Sequence, residues 1–120
     1  MMRKLFLLRH GETDFNTERK IQGISDSPLN TRGKRQSYAA AMELKKCGIQ
    51  AIYSSTLKRA EQTADIIAGE LRLTVFPSPI LREVNFGSWE GLTLEELTRK
   101  DRNRYSQWQR SSDTKPPGGE

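Results

Sequence analysis

The apolar run Leu5-Phe6-Leu7-Leu8, followed at once by Arg9-His10-Gly11-Glu12-Thr13, constrains this chain more than any other stretch. Apolar residues without polar alternation predict a strand over residues 3–8 that is buried on both faces, like the central strand of a parallel sheet. Such a strand needs helices on both sides, so the remaining residues must supply crossover units. Its end delivers an arginine and the chain's one histidine to a glycine-containing turn. An imidazole there can attack phosphorus if one ring nitrogen is unprotonated and the other is fixed by a hydrogen bond, usually to a backbone carbonyl. Arg9 beside it offers planar, paired donors to phosphate oxygens. The bland alternative is a strand-end histidine that caps backbone groups.

The chain beyond this turn alternates between elements. Residues 11–30 are polar and rich in turn formers, a long loop of functional character. Residues 31–47 read as a helix with Thr31 as N-cap and Gly48 as C-cap. Tyr38, Ala41, Met42 and Lys45 form one stripe of it, widened by Ala40, Leu44 and Cys47. Residues 49–53 read as a second strand. Ser54-Ser55-Thr56 then opens a helix to about residue 71, with Ala60, Ala64, Ile67, Ala68 and Leu71 on one face. Residues 73–76 read as a third strand, stopped by Pro77 and Pro79. Thr93 and Glu96 have capping-box spacing, which predicts a helix over residues 94–108. The tail Lys115-Pro116-Pro117-Gly118-Gly119-Glu120 is loop. The sum is an α/β chain with a mostly parallel sheet flanked by helices.

At 120 residues the chain is one domain or part of one. Its net charge of +5 favours an anionic partner. The basic residues are scattered and no reading motif is present, so the expected partner is a small phosphorylated molecule and not nucleic acid. A solvated basic surface accounts for the bulk charge equally well. The one cysteine, Cys47, has no partner for a disulfide and no metal-type spacing around it, which fits a reducing cytoplasm without metal or cofactor. The four-residue apolar run falls short of the roughly 7 to 15 residues of a signal core, and nothing approaches a membrane span.

Arg59 falls in the first turn of the helix that follows the second strand, where free N–H groups and the helix dipole favour anions. With this in place, the string Arg9-His10-Gly11-Glu12-Thr13 resembles the signature of the histidine phosphatase superfamily, which includes the phosphoglycerate mutases. The segment Ser54-Ser55-Thr56-Leu57-Lys58-Arg59-Ala60-Glu61-Gln62-Thr63-Ala64 is similar to that family's second motif. Leu81-Arg82-Glu83-Val84-Asn85-Phe86-Gly87-Ser88-Trp89-Glu90-Gly91 is similar to its third. The resemblance implies a three-layer sandwich in which His10 carries the phosphoryl group. Arg9, Arg59 and Asn16 would then bind phosphate, and Gln22 and Gly23 would contact substrate. Asp26, Pro28, Leu29 and Gly33 match the family's usual continuation.

By the same resemblance, Glu83 protonates the leaving oxygen and then activates water. A general acid must keep its proton near neutral pH, which burial favours. Glu90 and Glu12 are weaker candidates, read as structural. The form Phe86-Gly87-Ser88-Trp89-Glu90-Gly91 looks like the phosphatase branch. Tyr105, Trp108 and the Pro-Pro-Gly-Gly-Glu tail resemble alpha-ribazole phosphatases. The implied function is hydrolysis of a small phosphomonoester, with alpha-ribazole 5'-phosphate as one candidate. Mutase-type phosphoryl transfer and a phosphate-binding fragment without turnover are the alternatives.

The family continues beyond the position of Gly119-Glu120 with a helix and a central strand bearing a second histidine. The 120 residues hold no second histidine. The resemblance therefore implies a single domain over residues 1–120 that corresponds to about the first two-thirds of the family domain, with an incomplete sheet. A chain of this kind is expected to be a poor catalyst by itself. It is also expected to self-associate or to accept a complementing C-terminal segment.

Overall fold

The computed structural model describes residues 3–120. Residues 3–8 form no strand. They have no ladder partner among the described residues, and their side chains stand in solvent, with Leu5 85% and Leu7 89% exposed. An extended segment becomes a strand only by pairing its backbone groups with a neighbour. Here the apolar character of the run is present and the neighbour is not.

The loop that follows is more ordered than its composition predicts. Thr13 caps a single helical turn, α1 (Asp14–Thr17), in a capping box with Asn16. Thr13 also bridges to Leu29 in antiparallel fashion, folding residues 14–28 into a closed excursion. Helix α2 (Thr31–Leu44) starts one residue from where the sequence suggests. Asn30 is its cap, with Oδ1 accepting from the Gly33 amide at 2.8 Å. A 3-10 turn over Lys45–Cys47 extends it, and Gly48 ends it at φ 67°, the left-handed region that glycine enters without strain.

Strand β1 (Ile52–Ser54), helix α3 (Lys58–Leu71) and strand β2 (Val75–Pro77) form a crossover unit. The two strands pair in parallel, with Ile52 opposite Val75 and Ser54 opposite Pro77. Pro77 closes the strand from inside. Its missing N–H costs nothing at the last pair, and the Ser78 amide donates to Ser54 O at 2.8 Å. Tyr53 and Phe76 lie opposite each other, ring centroids 5.4 Å apart, with Tyr53 67% exposed. The architecture is α/β, with a two-stranded parallel sheet in place of the three strands read from the sequence.

The core between α2 and α3 is built from small residues. Gly33, Ser37 and Ala41 are the buried positions of α2, spaced four apart, while Tyr38 and Met42 from the expected stripe are exposed. Thr63, Ala64, Ile67 and Ala68 are buried on α3. A second cluster forms around Trp89, which is 2% exposed and packs edge-on against Tyr105 and Trp108. The Trp89 indole donates to Asp101 Oδ2 at 3.0 Å. At Asp101 (φ −144°, ψ 43°) the helix expected over residues 94–108 breaks into α4 (Leu94–Lys100) and α5 (Arg102–Arg110). Thr93 caps α4 as its spacing predicts, accepting from the Glu96 amide.

Candidate active site

The turn at His10 is held by helices, not by a sheet. The Gly11 amide donates to Thr63 Oγ1 on α3 at 3.0 Å. The Glu12 amide donates to Gln36 Oε1 on α2 at 2.9 Å, and Glu12 O accepts from the Asn30 amide. The backbone at Gly11-Glu12 and that of Gly33 in α2 lie so close that a Cβ on Gly11 would collide with the Gly33 carbonyl and one on Gly33 with the Glu12 carbonyl. These two glycines are required by contact, and the contact seats the turn in the crook between α2 and α3.

Within that turn the His10 Nδ1 lies 2.6 Å from the Gly11 carbonyl. Nδ1 therefore carries the proton and donates, which leaves the Nε2 lone pair free. Burial lowers the His10 pKa from its ordinary 6.5, and the charges of Arg59 and Arg9 push the same way. The Gly11 hydrogen bond and the charge of Glu83 push back. The net direction favours the neutral, nucleophilic imidazole.

Arg59 sits in the first turn of α3, as read from the sequence, and is only 3% exposed. Its Nη1 donates to Ser25 O at 2.9 Å and its Nη2 to Gly23 O at 2.6 Å. A guanidinium has five N–H donors, and two of them hold this loop. The helix N-terminus, by contrast, is already occupied. Asp26 Oδ1 accepts from the Lys58 amide at 2.9 Å, so the anion at that end is a side chain of the chain itself. Burial lowers the Arg59 pKa, and the carboxylates of Glu83, Glu90 and Asp26 oppose this. An arginine stays cationic under such shifts.

The two amide side chains singled out in the loop are both oriented by Thr13. Asn16 Oδ1 accepts from the Thr13 amide at 3.0 Å, and Gln22 Oε1 accepts from the Thr13 hydroxyl at 2.7 Å. With both oxygens engaged, the NH₂ groups are the donors that these side chains have left. Gly23 adopts φ 55°, and a side chain there would collide with the Glu90 carboxylate and the Phe86 ring. Arg9 is exposed beside His10.

Glu83 departs from expectation. It is exposed, not buried, and its Oε1 accepts from the adjacent Val84 amide at 2.9 Å. It is nonetheless close enough for its charge to act on both His10 and Arg59. The structure thus brings His10, Arg9, Arg59 and Glu83 into one electrostatic neighbourhood, with Gly23 linked to it through Arg59.

Glu12 and Glu90 serve as hydrogen-bond acceptors within the frame. Glu12 Oε1 accepts from Asn30 Nδ2. Thr63, a member of the second motif to which the sequence assigns no role, joins Gly11 to α3 and donates to Arg59 O at 2.8 Å. Its position four residues after Arg59, on the same helical face, was the available signal. Among the described residues no group of three or more His, Cys, Asp or Glu side chains gathers in a way that could hold a metal ion. No helix among them is long and apolar enough to cross a membrane.

Comparison with known proteins shows the family of the chain. Residues 5–120 match the family profile described as histidine phosphatase superfamily (branch 1). A protein of Escherichia fergusonii named "Probable phosphoglycerate mutase GpmB" is 40% identical over 124 residues, covering 99% of this chain and 56% of the relative. The mycobacterial glucosyl-3-phosphoglycerate phosphatase, solved with VO3, superposes with a TM-score of 0.85 at 35% identity, over 92% of this chain and 53% of that one. The alpha-ribazole phosphatase of Shigella flexneri superposes with a TM-score of 0.84 at 32% identity, over 94% and 56%. The chain spans about half the length of these relatives.

Proposed function

Since the chain belongs to the histidine phosphatase superfamily, branch 1, we propose that it carries the phosphoryl-accepting part of a phosphomonoester hydrolase acting on a small phosphorylated metabolite. The observation that carries this reading is the His10 side chain. Its Nδ1 is tied to the Gly11 carbonyl, which leaves Nε2 to react, and the charges of Arg59 and Arg9 act on the ring. In the proposed first step Nε2 attacks phosphorus, an N–P bond forms, and the P–O bond to the alcohol breaks. Glu83 gives its proton to the departing oxygen. Water then attacks phosphorus, Glu83 takes its proton, the N–P bond breaks and inorganic phosphate leaves. Arg9, the remaining donors of Arg59 and the NH₂ of Asn16 bind the phosphoryl oxygens, where charge-assisted donors are strongest. Gln22 and Gly23 border the substrate.

The branch is supported by the two phosphatases among the similar structures and by the Phe86-to-Gly91 form. Alpha-ribazole 5'-phosphate and phosphorylated glycerate derivatives are the substrate candidates those names supply. The similarity to a protein named a mutase supports transfer between hydroxyls as the second reading. With one histidine in 120 residues, turnover by this chain alone is proposed to be slow. A panel of phosphomonoesters, with 3-phosphoglycerate included, tests the reading. Phosphate release that His10→Ala abolishes supports hydrolysis. Conversion of 3- to 2-phosphoglycerate without phosphate release favours the mutase. No turnover and no phosphate binding would remove both.

A further inference from the structure

We propose that Glu90 is a positioning residue, one that sets the grip of Arg59 on the phosphoryl group by fixing the strap of residues 23–25. This rests on the functional reading above. The strap lies between a cation and an anion. On one side the carbonyls of Gly23 and Ser25 accept from the two terminal nitrogens of Arg59. On the other side Glu90 Oε2 accepts from the Ile24 amide at 3.0 Å, and Glu90 Oε1 accepts from the Ser25 hydroxyl. The peptide unit joining Gly23 and Ile24 therefore points its carbonyl at the guanidinium and its N–H at the carboxylate, and Ser25 is held by its carbonyl on one side and its hydroxyl on the other.

Glu90 is itself anchored. Its Oε2 also accepts from the Phe86 amide at 2.9 Å, and its neighbour Gly91 donates from its amide to Ile21 O at 2.8 Å. Trp89, on the other side, is locked in the aromatic cluster. The carboxylate thus carries the rigidity of the Trp89 cluster across to the loop that holds Arg59. Gly23 completes the arrangement, since any side chain there would occupy the space of the Glu90 carboxylate. Arg59 has its remaining donors aimed by this strap, and a guanidinium held in one orientation loses less freedom on binding an oxyanion than a mobile one does.

The role is distinct from general stability, because it acts through one partner. In a double-mutant cycle, two residues that work through one contact are non-additive, while independent ones multiply. The experiment measures binding of orthovanadate and of inorganic phosphate by the 120-residue chain and its variants, with thermal unfolding followed alongside. Glu90→Ala is expected to weaken binding about tenfold, within the range of coupled neighbours. Glu90→Gln keeps an oxygen for the two amides and is expected to recover most of that loss. Arg59→Ala combined with Glu90→Ala is expected to bind no worse than Arg59→Ala alone.

Multiplicative losses, or unchanged binding in Glu90→Ala, would overturn the proposal while leaving the phosphate site intact. Absence of vanadate and phosphate binding in the wild type would overturn the functional reading and this proposal together. Should Glu90→Ala fail to fold, Ser25→Ala removes one arm of the carboxylate grip in the same cycle. It is expected to weaken binding and to be non-additive with Arg59→Ala; unchanged or multiplicative binding would again overturn the proposal.

Discussion

Residues 3–8 and residues 10–30 adjoin in the chain and differ in how they are held. The second stretch is closed by its own contacts. Thr13, Gln22, Asn16, Glu12 and Asn30 satisfy one another, and Thr63, Gln36, Gln62 and Arg59 hold it from the helices. The first stretch holds the apolar run Leu5 to Leu8 and is exposed, with no ladder partner among the described residues. The Cα radius of gyration of 16.6 Å reflects that openness, against about 14 Å for a compact domain of this length. A loop rich in side-chain donors and acceptors can complete itself locally. A buried parallel strand cannot, because its backbone and both its faces need other segments.

The comparison can be broken or sharpened at several points. The largest effect is expected at Glu83, which lies outside the closed loop. Glu83→Gln should lower turnover on an unactivated phosphomonoester by about 10²–10⁴, the range of a lost general acid. It should leave phosphate binding and melting temperature nearly unchanged, and an unchanged rate would move the role elsewhere. Next is Gly33→Ala, whose Cβ would meet the Glu12 backbone. It should cost about 3 kcal/mol in urea unfolding, the upper range for a forced overpacking; a loss below about 1 kcal/mol would show that the turn is softer than its contacts imply.

Thr63→Val comes third. It keeps the volume and leaves the Gly11 amide without its acceptor, so a loss of about 1–3 kcal/mol is expected. Hydrogen exchange should show the Gly11 amide protected in the wild type and released in the variant. The smallest effect on stability belongs to the exposed run. Leu5→Lys with Leu7→Lys should change unfolding free energy by less than about 0.5 kcal/mol, as surface changes do. The same pair should suppress the self-association expected of the wild type, an exposed apolar segment being the usual seat of it. A wild-type chain that sediments as a monomer at all concentrations would contradict this.

The legible and illegible parts of the sequence divide along the same line. Features set by near neighbours were readable. Thr93 caps α4, Gly48 ends the turn after α2, Arg59 occupies the first turn of α3, and the Ala64, Ile67 and Ala68 face is buried. Features that depend on distant partners were not. The run at residues 5–8 has the composition of a strand, but pairing decides whether it becomes one. Asp101 breaks the expected helix where it meets the buried Trp89 indole, twelve residues away. On α2 the buried positions Gly33, Ser37 and Ala41 are small and polar or neutral, while Tyr38 and Met42, which look more like core, are exposed. Close packing against α3 selects small residues, and hydrophobicity does not report it. In the site, the place of Arg59 in the first turn of α3 and the tie of the His10 ring to a backbone carbonyl are readable from the sequence, whereas the exposure of Glu83 and the occupation of the α3 N-terminus by Asp26 require the fold.

The central claim is that His10 Nε2 is the phosphoryl acceptor, and one measurement tests it most directly. The chain is incubated with a small phosphoryl donor, quenched, and mapped by mass spectrometry across pH. The expected product is an acid-labile, base-stable phosphohistidine at residue 10, absent in His10→Ala. Because burial and the neighbouring arginines lower the His10 pKa from 6.5, its protonated form is disfavoured and the neutral form persists as pH falls. The rate of labelling should therefore decline only below the range where a free histidine becomes protonated. Labelling at another residue, labelling retained by His10→Ala, or a rate that already fails above pH 6.5 would contradict the account.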